Sequence, residues 1–221
     1  MLLAVDTSTS QVGLALYDGS QVIAEYAWRS SQRHTVELAP AISDLLTRCG
    51  LIMDDVHALG VALGPGSFTS LRVGLALVKG LALSKDIPLI GIPTLDILAH
   101  AQPVFKFPLA VAIQAGRSRF AMGWYKSSRK EWRAQGGGRI ATLEEINAEV
   151  ENSSIVCGEF SAEERQKLND NENIQLASPA LSVRRPAILA ELAWARWQAG
   201  DVDDAASLAP IYLQTDGSLP V

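Results

Sequence analysis

Three short runs of strand composition stand at the head of the chain, and the gaps between them leave the opening few ways to fold. Leu2–Val5, Gln11–Tyr17 and Gln21–Trp28 are separated by Asp6-Thr7-Ser8-Thr9-Ser10 and by Asp18-Gly19-Ser20. Asp-Gly between two apolar runs is a strong hairpin signal, so the spacing predicts a three-stranded meander. From His34 to Cys49, Leu38, Ile42, Leu45, Leu46 and Cys49 fall on one helical face and Glu37, Asp44, Thr47 and Arg48 on the other, with Pro40 a local flaw and Gly50 a C-cap. Ala58–Leu63 reads as a buried strand, Gly64-Pro65-Gly66 as a sharp structural turn and Ser67–Ser84 as a second helix; Pro88–Ile92 then reads as a strand and Thr94–His100 as a short helix. The order is βββαβαβα, an α/β arrangement.

Gln102-Pro103 and Pro108 bracket a boundary, which divides the chain into a first lobe, 1–103, and a second, smaller lobe, 104–221. The second lobe is expected to open with a hairpin, Leu109–Ala115 and Arg119–Tyr125 around Gly116-Arg117-Ser118. Gly136-Gly137-Gly138 reads as a loop, and Thr142-Leu143-Glu144-Glu145 has the spacing of a capping box. Arg185–Ala199 reads as a Pro-started helix ended by Gly200.

With 221 residues, 48% hydrophobic and 19% charged, the chain has enough apolar material for a real core, and disorder through low hydrophobicity is excluded. A net charge of −5 argues against a protein built mainly to coat nucleic acid or an anionic membrane. The two cysteines, Cys49 and Cys157, lie far apart and fit free thiols in a reducing compartment. The start meets Asp6 too early for a signal peptide, and Leu71–Leu83 is interrupted by Arg72 and Lys79 and too short to span a membrane. The expectation is a cytoplasmic protein with no membrane partner.

Two loops could carry chemistry. Asp6, Thr7 and Ser8 sit between predicted strands, where an acid and hydroxyls either hold a metal-bound phosphate or bond their own backbone in a turn. Gly64-Pro65-Gly66-Ser67-Phe68-Thr69-Ser70 joins a strand to a helix, where free N–H groups either bind an anion or simply cap the helix. It lacks the Lys of a P-loop and the third Gly of a dinucleotide motif. His34, His57 and His100 lie on separate segments without zincin spacing, and no Gly-x-Ser-x-Gly elbow occurs, so neither a zinc hydrolase nor that kind of serine hydrolase is supported. No metal and no cofactor is expected.

The second helix is apolar nearly all round, which means burial on more than one side. A helical projection makes Arg72 and Lys79 its exposed stripe and points Gly74, Leu77 and Leu81 into the lobe. Leu71, Leu75, Val78 and Ala82 are left on a flank, expected to meet a partner with Glu37 and Ala41 of the preceding helix beside it; the other reading is a helix wrapped by its own chain. Between Lys106 and Arg139, eight basic residues face one acid, +7, while residues 140–221 sum to −9. Phe107, Phe120, Trp124 and Trp132 are interleaved with this run. It is either an RNA-facing surface, presented by Arg117, Arg119, Arg129 and Arg133, or strands with solvated cations outward and aromatics inward.

Together, Leu3-Ala4-Val5-Asp6-Thr7-Ser8-Thr9, His34-Thr35-Val36-Glu37, Gly60–Gly74 with its Gly-Pro-Gly-Ser-Phe-Thr, Lys79-Gly80-Leu81-Ala82 and Pro93-Thr94-Leu95 resemble the TsaB family, as does the tail Pro210-Ile211-Tyr212-Leu213. The resemblance implies an actin-like (ASKHA, ribonuclease H-like) two-lobed fold related to TsaD. It also implies a non-catalytic subunit of the tRNA threonylcarbamoyladenosine machinery. In that machinery TsaD transfers the threonylcarbamoyl group to the adenosine beside the anticodon, TsaB binds and supports TsaD, and the ATPase TsaE joins them. It implies a homodimer when free, formed through the surface that also takes TsaD, with tRNA contacted only indirectly or weakly. TsaD holds its metal through His-x-x-x-His, and here His34 is followed four residues later by Leu38. Ser70 stands where the family usually has Gly, and Gln114-Ala115-Gly116-Arg117-Ser118-Arg119 replaces an acid-bearing hairpin. The rival is an actin-like ATPase or acyltransferase acting alone through Asp6, the Gly64–Thr69 turn and magnesium.

Overall fold

The computed structural model describes residues 1–31, 34–116 and 118–213, which form two compact units. The first comprises Met1–Ile97 with Arg185–Ile211; the second comprises Leu98–Arg184 with Tyr212 and Leu213. The first boundary thus lies six residues before the expected 103/104 division, and the last long helix, expected in the second lobe, belongs to the first unit.

In the first unit β1 (Leu2–Asp6), β2 (Gln11–Tyr17), β3 (Val22–Arg29), α1 (His34–Arg48), β4 (Ala58–Gly64), α2 (Phe68–Lys85), β5 (Leu89–Pro93) and α3 (Thr94–His100) follow one another in the expected order. The sheet runs β3-β2-β1-β4-β5, antiparallel in the meander and parallel through β1, β4 and β5. Strand alternation sorts its two faces by size. Leu3, Val5, Leu14, Leu16, Leu59 and Val61 point toward α1 and α2 and form the larger core with Leu38, Leu45 and Val78. The opposite face carries Ala4, Ala15, Ala58 and Ala62. Such a shallow floor admits a helix at close range. α6 (Pro186–Gln198) lies there, near enough that a Cβ on Gly60 would stand 2.8 Å from that of Ala193, and Gly13 would meet Pro186 at 3.1 Å. Glu25 anchors the start of α6: its carboxylate accepts from Arg185 Nε at 2.8 and 2.9 Å and from the Ala187 N–H at 3.1 Å. Burial opposes this charge, yet the Arg185 and Ala187 donors hold the carboxyl below its ordinary range.

The second unit has a sheet in the order β11-β10-β6-β7-β8, built from β6 (Leu109–Gln114), β7 (Phe120–Ser128), β8 (Glu131–Ala134), β10 (Ser154–Gly158) and β11 (Ile174–Leu176), with β9 (Arg139–Ala141) also paired to β7. α4 (Leu143–Glu149) starts at the Thr142 capping box, and α5 (Ala162–Asn169) at a second one, Ser161 with Glu164. Phe120, Ile146, Val156 and Leu168 form the core. The buried Arg184 guanidinium is ion-paired to Glu159. Cys157 lies in β10, where burial pushes its thiol up to about 12; Cys49 is half-buried, and both are free.

Candidate functional site

The β1–β2 loop and the β4–α2 turn close on one another in the first unit. The Ser8 N–H donates to Asp6 Oδ1 at 2.8 Å, and the Thr7 hydroxyl donates to Ser70 O at 2.8 Å. Ser8 Oγ shares a 2.8 Å bond with Thr94 Oγ1, which also accepts the Gly64 N–H at 2.9 Å. The Ser67 N–H donates to Ser8 O at 2.6 Å. This approach requires glycine at 66, where a Cβ would run into the Ser8 carbonyl, and Gly64 takes φ +110° in the turn, whose Gly64–Pro65 peptide is cis. Asp6, Thr7 and Ser8 are buried, so their polar groups brace β1, α2 and α3 against one another. Among the described residues, no three His, Cys, Asp or Glu side chains gather as a metal site.

The helix pair differs from the expected arrangement. Leu71, Leu75, Val78 and Ala82, assigned to a partner-facing flank, are 0–5% exposed and turn into the lobe, the last three as part of its main core. Gly74 sets the rotation: its bare backbone lies against Thr7, where a Cβ would collide with Oγ1. That contact draws in its neighbours at 71, 75 and 78 and leaves Leu77 and Leu81 on the shoulder. Arg72 is exposed and packs 3.6 Å above the Phe68 ring. Lys79, expected on the exposed stripe, is half-buried and donates from Nζ to Ala206 O and Leu208 O, each at 3.0 Å. It ties the returning chain to α2. Glu37 accepts from Trp28 Nε1 at 3.1 Å, and Ala41 is half-buried beside it.

What remains uncovered is the opposite side of α2 with the adjoining side of α1. Phe68 and Leu83 of α2 are 54% and 66% exposed with Ala76 exposed between them, and Val36 of α1 is 65% exposed. A groove of about 480 Å³ runs between the helices, lined among others by Leu38, Phe68, Val73, Ala76 and Leu77. Sequence reasoning missed Phe68, Val73 and Ala76. Their signal was a second apolar stripe at helical spacing beside the chosen one.

In the second unit the expected tRNA-contacting arginines separate. Arg117 lies outside the described residues. Arg119 precedes β7, whereas Arg129 and Arg133 are exposed at the β7–β8 hairpin, roughly 20–30 Å away along the strand. The interleaved aromatics face inward or are pinned: Phe120 and Trp132 are buried, Trp132 Nε1 donates to Gln102 O at 3.1 Å, and Trp124 Nε1 donates to Glu149 at 2.6 Å.

The first unit's strand order, with helices on both faces, places the chain in the class of actin-like α/β proteins. A protein from Pseudomonas aeruginosa described as similar to peptidase YEAZ superposes with a TM-score of 0.77 at 25% identity, over 96% of this chain and 99% of its own. The family model for TsaD, tRNA N6-adenosine threonylcarbamoyltransferase, matches residues 22–155, more than half of the chain. The proteins named tRNA threonylcarbamoyladenosine biosynthesis protein TsaB from Bacillus subtilis and Escherichia coli are 37% and 38% identical over 125 and 99 residues. These alignments cover 57% and 45% of this chain and 55% and 42% of the relatives, so the chain spans about half the length of the curated relatives it matches. The chain belongs to the TsaB family, within the wider group that the TsaD model describes.

Proposed function

We propose that the chain is a non-catalytic scaffold and dimerisation subunit of the tRNA N6-threonylcarbamoyladenosine modification complex, which binds and supports the TsaD transferase and works with the TsaE ATPase. The observation that carries this reading is the uncovered apolar face of α1 and α2 in a unit whose Asp6-Thr7-Ser8 loop spends its polar groups on internal bonds. Phe68, Val73 and Ala76 offer a partner helix pair the small and apolar surface that a four-helix contact needs. Glu37 and Ala41 lie on the other side of α1, beside Tyr26 and Trp28 of β3, and so outside this groove. A second copy of the chain covers the same face when TsaD is absent, so homodimer and heterodimer exclude one another.

The test is co-purification with TsaD, followed by assay of tRNA modification with and without this chain. Ala76→Glu is expected to leave the monomer folded, because the site is open to water. It should weaken both associations by about 2 kcal/mol or more, roughly 30-fold, because a charge is buried against an apolar partner. Light scattering and pull-down on TsaD measure this, and a folded variant that still dimerises and still retains TsaD would place the interface elsewhere. The isolated chain is expected neither to hydrolyse ATP nor to modify tRNA. Magnesium-dependent turnover abolished by Asp6→Ala would overturn the non-catalytic reading.

A further inference from the structure

The hairpin at the edge of the second unit's sheet breaks local strand chemistry in two places. In the β7–β8 register Lys126 lies directly opposite Arg133. Like charges about 5 Å apart at Cβ destabilise an antiparallel pair. Ser128 pairs with Glu131, which leaves Arg129 and Lys130 as a two-residue turn with φ of 52° and 68°. Both are left-handed, as a type I′ turn requires, and Asn-Gly or Asp-Gly is the ordinary choice there. The one carboxylate on the solvent face, Glu131, forms no ion pair with the four cations, and among the described residues none of the four pairs elsewhere. The other face is fixed: Tyr125 and Trp132 are each 3% exposed. The hairpin thus holds four cations in water, at a cost to its own register and turn, with no structural return. Where a sequence departs from local rules in this way, the compensation lies in what the residues bind.

We propose that the β7–β8 hairpin, through Lys126, Arg129, Lys130 and Arg133, docks the phosphodiester backbone of structured RNA. The nearby aromatic rings face inward or are pinned by hydrogen bonds, so no platform for stacked bases accompanies the cations. The contact therefore positions RNA without reading its sequence. An anionic lipid surface fits less well, because membrane-binding cations work beside apolar side chains that enter the interface. Here the residues around the cations are Ser127, Ser128, Ala134 and Gln135. The choice of RNA rests on the proposed role in tRNA modification; the cation cluster does not.

The full chain alone, without transferase, is titrated into a labelled tRNA transcript between about 50 and 200 mM KCl. Arg129→Asn with Lys130→Gly removes two charges while installing the preferred turn, so the melting temperature should hold or rise. Affinity at low salt should fall about tenfold, and the log–log salt slope should flatten by about 1.4–1.8 units for two lost phosphate contacts. Lys126→Thr with Arg133→Thr should do the same, and Arg48→Ser in the first unit should change neither quantity. The proposal is overturned if wild type fails to bind at the lowest salt, or if both double variants keep affinity and slope. Loss appearing only in co-sedimentation with phosphatidylglycerol vesicles, or equally in Arg48→Ser, also overturns it. Because no transferase is present, these outcomes are separate from failure to co-purify with TsaD, which bears on the proposed function alone.

Discussion

A fragment comprising residues 1–103 is expected to fail to reach a native state, although it contains every strand of the first unit's sheet. The missing part is α6. Leu189, Ala190 and Ala193 are fully buried on the small-residue face of the sheet, and Trp194 packs edge-on against Tyr17 and Trp197 at 5.6 and 4.9 Å. Without them Leu2, Ile90, Ile92 and Ile97 lose their cover. At about 1.5–3 kcal/mol for each large aliphatic side chain, the loss rivals the whole stability of a typical domain, about 5–15 kcal/mol. The fragment should bind a hydrophobic dye and lack a cooperative melt. Rejoining residues 185–213 through a long Gly/Ser linker should restore both a sharp transition and dispersed amide resonances. A cooperative, dye-free 1–103 fragment would show that the meander and α1–α2 core suffices, and that α6 is only an accessory.

The same helix marks where sequence reading stops. Hairpin turns, caps and apolar periods are local, so β1 through α3 are legible to within a residue or so, as is the Thr142 capping box. The return of α6 to the first sheet is a pairing across nearly the full chain. Its trace was present all the same: Ala58, Gly60 and Ala62 alternate with Leu59, Val61 and Leu63 along β4, the mark of two faces with different covers. β9 and β11 are three-residue strands, and α5 buries only Leu168, too little for a periodic signal. The basic run was legible as charge, but only strand register shows that Lys126 and Arg133 meet while Arg119 stands at the far end of β7.

Leu75→Glu is expected to unfold the first unit, in contrast to Ala76→Glu one residue further on. On a helix apolar nearly all round, residue type does not distinguish a flank packed on the sheet from one facing a partner; a glycine does, because it marks where another backbone or side chain comes closest. Gly74 lies against Thr7 of the β1–β2 loop, so its neighbour Leu75, 5% exposed, packs with Val5, Val61 and Val78 in the main core. Leu75→Ala should cost about 2–5 kcal/mol through lost transfer energy and a cavity. Leu75→Glu adds an unpaired buried charge, for a total of about 4 kcal/mol or more, a large fraction of the stability available. Urea unfolding followed by far-ultraviolet circular dichroism should show the first-unit transition shifted strongly in Leu75→Ala and absent in Leu75→Glu, with Ala76→Glu unchanged. A folded Leu75→Glu monomer that has lost dimerisation would instead mean that this flank leaves the core to meet its partner, returning Leu71, Val78 and Ala82 to the interface.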